Sequence, residues 1–308
     1  MTRTFWILLV VIAGTYVGCK PVQPLAQSHL FVISFSTLRN PFFVELNASL
    51  KAAIEARGDR LITLDAQYNS EKQRNGVLAA LSQQPSMVFI NPVNWETIKA
   101  TLIEVRRMKI QVIIVDAPVS DPDLVLCQVA SDNVKAGRLA CEALSQVNPT
   151  AKVAVLQHSV NKASIDRVAG FRSEMARYPA MKIVDIQEGK GNAEGSQGMM
   201  ASLLRRYPEI DAAFPINDPS ALGAIAAIEE AGRRGHVTVV TVDGSQQGVS
   251  AILQGRLYAS VAQDAGEIGR LAAESAYAHL AGYSVEKDVK VPVRLITREN
   301  ATLTREAK

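Results

Sequence analysis

Polar residues stand at the ends of several short apolar runs in this sequence. In chain order they are Ser36, Asp65, Asn91, Asp116, Gln157, Asn217, Asp243 and Gln263. Arg167 stands near the start of a helix-like segment. A carboxylate accepts hydrogen bonds from two hydroxyls, an amide donates and accepts, and an arginine donates in a fork. Such a set is suited to binding a polyhydroxylated ligand.

Some of these residues have a simpler explanation. An aspartate or asparagine after a strand is often a helix cap or a turn former. A cap or turn role is as consistent with the sequence as a ligand contact for Asp65, Asn91, Asp132 and Asp218. Asp116, Asn217 and Asp243 are less easily explained as caps, and we predict that they contact the ligand.

Phe42 and Phe43 are neighbours near the start of a predicted helix. An aromatic face packs well against the C–H face of a sugar ring. Adjacent helical residues point in different directions, so the two rings do not face one spot. We therefore expect one ring at the ligand and the other in the core.

Sequence signals for catalysis and for metal binding are missing. The sequence has no Gly-x-Ser-x-Gly elbow, no His-x-x-x-His pair and no Cys-x-x-Cys. Gly189 and Gly191 imitate the start of a dinucleotide loop, but Glu194 stands where the third glycine is required. We predict a protein that is not an enzyme and that uses no cofactor or metal. A sugar-acting enzyme, with Asp116 and Asp243 as acid and base, is an alternative.

The composition excludes several other classes of protein. The chain has 308 residues, 48% of them hydrophobic and 20% charged, which is ordinary for a globular protein of about two domains. Lysine and arginine number 33, and aspartate and glutamate 30, which gives a net charge of +3. This small charge provides no large basic surface for a phosphate backbone, so we predict no nucleic-acid partner.

Short apolar runs alternate with helix-length segments from Leu30 onward, as in LFVIS, PFFVELNASLKAAIEAR and RLITLD. Runs that are apolar on both faces are typical of parallel strands covered by helices, which predicts an α/β fold with about ten strands. LKAAIEARGDRLITLD and IAAIEEAGRRGHVTVVTVD share one pattern of helix, glycine, charged turn, strand and aspartate. This repeat predicts two similar doubly wound parallel-sheet lobes.

The N-terminus is typical of a secretory signal. Arg3 precedes an apolar run from Phe5 to Ala13, and Lys20 ends the apolar stretch before it could span a bilayer. Residues 16–19, Tyr-Val-Gly-Cys, resemble the lipobox of bacterial lipoproteins. The resemblance implies a signal peptide over 1–19, acylation of Cys19 and a tether over 20–28, so that only a lipid anchor reaches the membrane. Cleavage to a free exported protein is the alternative.

Several segments together resemble a known family. They are STLRNPFF at 36–43, VFINP at 88–92, VIIVD at 112–116, ASDN at 130–133, DRVAGF at 166–171, AFPINDPSALGAIAAI at 213–228, VTVDG at 240–244 and SVAQD at 260–264. In order and spacing they are similar to periplasmic sugar-binding proteins of the ribose/galactose type, the receptor subunits of ABC importers. The similarity covers Leu30 to Ile296. It implies a non-enzymatic receptor that delivers a sugar to ABC permease subunits.

The resemblance also implies how the chain is divided. Residues 29–131 and 264–291 would form the N-terminal lobe, residues 132–263 and 292–300 the C-terminal lobe, and 301–308 a tail. The two lobes would close on a ligand by a hinge movement. The implied ligand contacts are Ser36, Asn40, Phe42, Phe43, Asp116, Arg167, Asn217, Asp243 and Gln263.

Three positions differ from ribose-binding members of the family. Ala117 stands where arginine follows the first strand-end aspartate, Gly191 where Phe or Trp stacks, and Val242 where an aromatic residue precedes the later aspartate. The changes remove one charged donor and two stacking surfaces, each worth on the order of 1 kcal/mol in a dry cleft. These changes predict extra room in the cleft. The ligand would then be a larger or modified sugar, or another small polar molecule. We place Trp95 at the cleft rim as a replacement stacking ring, or else as a partly buried aromatic at a helix start.

Of two further functions that use this fold, one stays open and the other lacks a required element in this sequence. A sensory receptor for a chemoreceptor or sensor kinase would have the same fold. A LacI-like regulator would need a helix-turn-helix headpiece, where this sequence has an apolar signal. Cys127 and Cys141 are either two buried thiols or a disulfide.

Overall fold

The computed structural model describes residues 28–302. The predicted signal peptide with Cys19, most of the predicted tether and residues 303–308 lie outside this range. The strands are β1 (Leu30–Phe35), β2 (Arg60–Asp65), β3 (Met87–Ile90), β4 (Gln111–Val115), β5 (Cys127–Ser131), β6 (Lys152–Gln157), β7 (Lys182–Glu188), β8 (Ala212–Pro215), β9 (Thr238–Asp243), β10 (Ala259–Ala262), β11 (Asp288–Val291) and β12 (Arg294–Thr297). The α-helices are α1 (Pro41–Glu55), α2 (Ser70–Leu81), α3 (Lys99–Arg107), α4 (Asn133–Val147), α5 (Lys162–Met175), α6 (Ala193–Arg206), α7 (Asp218–Glu230), α8 (Gln246–Leu253) and α9 (Ala265–Leu280).

The strands form two six-stranded sheets, with the orders β11-β5-β4-β3-β1-β2 and β12-β10-β9-β8-β6-β7. Neighbouring strands are parallel, except that β12 runs antiparallel to β10. The prediction of an α/β fold with two similar doubly wound lobes is confirmed. The two strands that the sequence pattern missed are β11 and β12, because each has four residues and carries charges.

The chain passes between the two sheets three times. It leaves the first sheet after β5, since α4 packs on β9, β10 and β12. It returns after β10, since α9 packs on α1. The last passage lies between β11 and β12. The residue boundaries of the two lobes stay a prediction.

Each sheet has an apolar core on both faces, as neighbouring residues of a strand point to opposite sides. In the first lobe, Phe31 packs with α1 and α9 on one face, whereas Val32 packs with α2 and α3 on the other. In the second lobe, Val153 faces α4 and α5, and Ala154 faces α6 and α7. Strands buried on both faces explain the continuous apolar runs.

Helices α4 and α5 pack closely enough to require glycine. A Cβ at Gly137 would lie 1.8 Å from the carbonyl oxygen of Arg167, and one at Gly170 would lie 2.0 Å from that of Val134. Directly after Gly170, the Phe171 ring stacks on Phe214 of β8 with ring centroids 4.4 Å apart. These contacts fix α5 against the second sheet and so fix the position of Arg167.

Candidate functional site

A cleft lies between the two lobes, at the carboxyl ends of the parallel strands. This is the place where doubly wound sheets bind ligands. The nine residues predicted from the sequence all line it: Ser36, Asn40, Phe42, Phe43, Asp116, Arg167, Asn217, Asp243 and Gln263. Their role in binding a ligand stays a prediction, but the structure brings them together.

In the first lobe, Asn91 connects the ends of three strands. Its side-chain oxygen accepts hydrogen bonds from the Ser36 backbone N–H at 3.1 Å and from the Ser36 hydroxyl at 2.6 Å. Its amide nitrogen donates to Asp116 Oδ2 at 3.0 Å. Asn91 is completely buried and does not line the cleft, so it orients Ser36 and Asp116 from behind.

Asn40 and the two phenylalanines form the next part of this wall. Asn40 is the N-cap of α1, and its side-chain oxygen accepts from the Phe42 backbone N–H at 3.0 Å. Both Phe42 and Phe43 line the cleft, with their rings edge to face at 5.5 Å. Phe43 also contacts Phe35 of the core at 5.8 Å. Both rings line the cleft and both pack in the core of the first lobe, so which of them contacts a ligand stays a prediction.

In the second lobe, Arg167 is held by three neutral acceptors. Its Nε donates to Asn133 Oδ1 at 2.8 Å, and its two terminal nitrogens donate to the Ile216 carbonyl at 2.9 Å and to Gln263 Oε1 at 2.8 Å. Its guanidinium lies 3.7 Å from Asp243 Oδ1. Each terminal nitrogen carries two hydrogens, so the fork keeps donors for a further partner.

Asp243 and its neighbour Asp218 differ in their surroundings. Asp243 accepts from Gln263 Nε2 at 2.7 Å and from the Asp218 backbone N–H at 3.3 Å. Asp218 lies outside the cleft lining and accepts from Ser245 and Ser260. Asp218 is thus a structural residue that connects the start of α7 to the start of α8 and to β10.

Asn217 is a helix cap as well as a cleft residue. Its side-chain oxygen accepts from the Ser220 backbone N–H at 3.0 Å at the start of α7, and its amide donates to the Gly191 carbonyl at 3.1 Å. The expectation that Asn217 is less easily explained as a cap is wrong. Asp132, by contrast, caps α4 as the alternative explanation predicted.

Asp116 and Asp243 end corresponding strands in the two lobes with unusual backbone angles. The φ angle of Asp116 is 66° and that of Asp243 is 130°. Positive φ angles in residues other than glycine cost of order 1–3 kcal/mol each and are concentrated at functional sites. Both strained residues turn carboxylates into the cleft, which supports their assignment to a binding site.

The site concentrates buried carboxyl groups. Burial raises the pKa of Asp116 to about 6, although the Arg167 guanidinium acts in the opposite direction. Burial and then the nearby Asp218 carboxylate raise the pKa of Asp243 to about 8. Burial also raises the pKa of Asp218 to about 6, against the hydrogen bonds that it accepts. Hydroxyl donors from a ligand would stabilise the charged forms of the two cleft carboxylates.

Most cleft residues that the sequence did not reveal come from loops. Tyr68 follows β2, Val93 follows β3, and His158 and Asn161 lie between β6 and α5. Tyr68 and His158 are in edge-to-face contact across the cleft, with ring centroids 6.2 Å apart. Loop positions have no hydrophobic periodicity, so nothing in the sequence marks them beyond their closeness to a strand end.

The structure also places Trp95 and the three positions that differ from ribose-binding members of the family. Trp95 does not line the cleft, but its backbone N–H donates to the Val160 carbonyl of the other lobe at 3.1 Å. Ala117 and Val242 are completely buried. Gly191 lines the cleft. The His158 ring lies over Gly191 and fills the room expected there.

The lobes are close together in this structure. The cavity between them has a volume of about 40 Å³, whereas small-molecule sites usually measure about 300 Å³ or more. The lobes must therefore separate before a sugar can enter.

Cys127 and Cys141 do not form the disulfide that the sequence left open. Cys127 and Cys141 are free thiols buried in the cores of different lobes. Within residues 28–302, no group of three or more His, Cys, Asp or Glu side chains is arranged to hold a metal ion. In the same range, no helix is long and apolar enough to cross a bilayer.

A comparison with protein families identifies the fold. The periplasmic binding protein domain matches residues 31–284. The chain belongs to this family. Among its relatives, the ribose import binding protein of Bacillus subtilis is 32% identical over 268 residues, which cover 87% of each chain.

Solved structures of periplasmic binding proteins resemble this one closely. A solute-binding protein of an ABC transporter from Agrobacterium vitis, bound to α-D-tagatopyranose, has a TM-score of 0.86 and 25% identity, and covers 91% of this chain and 98% of its own. The arabinose-binding component of an ABC transporter from Shewanella sp. ANA-3, bound to L-arabinofuranose, has a TM-score of 0.84 and 29% identity, with 90% and 95% covered. This periplasmic binding protein thus shares its two-lobed architecture with sugar receptors.

The raised pKa of Asp243 predicts how stability depends on pH in this periplasmic binding protein. The folded-state pKa of about 8 lies above the reference value of 3.8, so the folded protein binds the extra proton and its stability falls as pH rises from about 4 through 8. The Asp243→Asn variant lacks this titration. We expect its melting temperature, relative to wild type, to increase between pH 5 and 8.5, by roughly 2–4 °C for each kcal/mol relieved.

The control for this experiment is Asp288→Asn, which changes an exposed carboxylate on β11. Thermal unfolding of the three proteins over the pH range measures the effect. A difference between Asp243→Asn and wild type that does not change with pH would contradict the buried-charge description.

Proposed function

We propose that this protein is an exported, non-enzymatic receptor that captures a sugar in the interlobe cleft and delivers it to the permease of an ABC importer. The observation that carries the proposal is the convergence of nine polar and aromatic side chains on one cleft at the carboxyl ends of two parallel sheets. Relatives named as ribose import binding proteins support the sugar and the transporter.

Each lobe would supply part of the binding surface. Asn40 and Asp116 from the first lobe, and Arg167, Asn217 and Asp243 from the second, would contact the ligand together. A ligand that contacts both lobes binds the closed state more tightly, and only such a difference in affinity can shift the equilibrium toward closure. The permease would then recognise the closed form.

The lobes and the leader are part of the same proposal. Residues 29–131 with 264–291 would move against residues 132–263 with 292–300, about the three crossings. Residues 1–19 would direct export, and Cys19 would carry the lipid that holds the receptor at the membrane. The sugar would leave the protein chemically unchanged.

Replacing Asp116 tests the site. Each hydrogen bond to a charged group is worth about 1.5–3 kcal/mol, so Asp116→Ala should raise the Kd for a bound sugar about 10- to 100-fold. Calorimetric titration with D-ribose, D-tagatose and L-arabinose measures it. Asp123→Ala, an exposed aspartate of the same lobe, is the matched control and should bind like wild type.

Two outcomes would count against the proposal. Wild-type protein that binds none of these sugars and shows no thermal shift with other monosaccharides would contradict sugar capture, since a ligand at 100 times its Kd stabilises by about 2.7 kcal/mol. Binding that survives Asp116→Ala unchanged would contradict the site assignment.

Trp95 would lie at the rim of the cleft and support sugar binding from there. Its ring lies 5.9 Å from the Lys162 ammonium of the other lobe, and an exposed contact of this kind is worth about 0.5–1 kcal/mol. We expect Trp95→Ala to weaken sugar binding about 2- to 5-fold. Equal affinities of Trp95→Ala and wild type in the same titration would remove Trp95 from the site.

A further inference from the structure

Two rings from opposite lobes meet at one side of the cleft. Tyr68 follows β2 of the first lobe and His158 follows β6 of the second. Their rings are edge to face, with centroids 6.2 Å apart and planes at 88°. Both residues line the cleft, and we call them the ring pair.

The His158 ring occupies the space beside Gly191. A Cβ at Gly191 would lie 3.3 Å from His158 Cδ2, and the φ angle of Gly191 is +63°, which disfavours any other residue. A side chain at position 191 would therefore compete with the imidazole. In this chain the ring beside position 191 of the cleft wall belongs to residue 158, not to residue 191.

Glu188 fixes the orientation and tautomer of the imidazole. Its Oε1 lies 3.1 Å from His158 Nδ1, and its Oε2 accepts from Ser159 N–H at 2.9 Å and from the Ser159 hydroxyl at 2.8 Å. Although burial acts in the opposite direction, the hydrogen bonds from Ser159 and His158 lower the pKa of Glu188. A carboxylate only accepts, so Nδ1 carries the hydrogen of this contact, and Nε2 of an imidazole with one hydrogen is an acceptor.

The Tyr68 hydroxyl provides the complementary donor. Burial, and then the nearby Asp243 carboxylate, raise its pKa, so it keeps its proton. In the described part of the chain, neither Tyr68 Oη nor His158 Nε2 has a hydrogen-bond partner. The ring pair, which lines the cleft, thus has one donor and one acceptor left for a ligand.

We propose that the ring pair binds a single hydroxyl of the sugar, which donates to His158 Nε2 and accepts from Tyr68 Oη. The inference rests on the proposed function and adds the ligand class: sugars that carry a hydroxyl at this wall, in preference to their deoxy analogues. Because the two rings belong to different lobes, this hydroxyl also connects the lobes when they close.

Matched substitutions separate the hydrogen bonds from the ring shapes. His158→Phe keeps a ring and removes the acceptor, whereas Tyr68→Phe keeps a ring and removes the hydroxyl. We expect each to raise the Kd for whichever of D-ribose, D-tagatose and L-arabinose binds wild type about 3- to 10-fold. The controls His236→Phe and Tyr283→Phe change exposed residues of the same types and should not change the Kd.

Two further measurements test whether one hydroxyl is shared. The double variant should lose little more affinity than either single variant, since both changes remove contacts to the same group. Wild type should bind the parent sugar more tightly than one of its monodeoxy analogues, and the double variant should bind the two about equally. The unliganded variants are checked by thermal unfolding.

The outcomes distinguish this inference from the proposed function. Binding by wild type with all Kd values of the single Phe variants within 2-fold would overturn the inference alone. Loss of affinity in His158→Ala but not in His158→Phe would also overturn it, because the wall would then be only apolar. Wild type that binds no sugar would overturn both.

If a Phe variant unfolds, nitrogen-15 NMR of the histidine rings in wild type tests whether the sugar contacts His158 Nε2. A change in the His158 Nε2 shift on addition of the bound sugar supports the inference. An unchanged shift under saturating sugar overturns it.

Discussion

The burial of three neighbouring carboxyl groups is the constraint on which this cleft depends. Asp116, Asp218 and Asp243 are buried near one another, and the Arg167 guanidinium acts on all three. Removing a carboxylate from water costs several kcal/mol unless hydrogen bonds compensate for it. Asp218 obtains that compensation from the protein itself, through serine hydroxyls and a backbone N–H. The two cleft carboxylates obtain less, and the hydroxyls of a sugar are suited to complete it.

The repeated topology explains how these groups meet. Each lobe reverses strand order beside its first strand, and each places a strained aspartate at the end of a corresponding strand, β4 or β9. When two such sheets face each other, their strand ends form opposite walls of one cleft. Close glycine contacts between α4 and α5 then hold Arg167 where it can lie between the carboxylates. Repetition of one supersecondary pattern thus produces a cleft that neither lobe contains alone.

Much of this arrangement could be predicted from the sequence, and the omissions have physical reasons. Continuous apolar runs marked the buried strands, and their ends marked Asp116, Asn217 and Asp243. The sequence pattern missed the edge strands β11 and β12 because they are short and carry charges. The sequence did not reveal Tyr68 and His158 as cleft residues, because loop residues follow no periodic pattern. The room expected at Gly191 is occupied by a ring from another loop, a substitution that only the folded chain reveals.

The most direct test of the account measures the distance between the lobes. Val44 of α1 and Gln247 of α8 lie on opposite sides of the cleft mouth and are exposed, so spin labels on cysteines at these positions report closure in protein with Cys19→Ala. The account predicts a broad distribution with long distances in the absence of sugar, and one short distance when D-ribose, D-tagatose or L-arabinose is bound. A sugar that binds by calorimetry and leaves the distance distribution unchanged would contradict it.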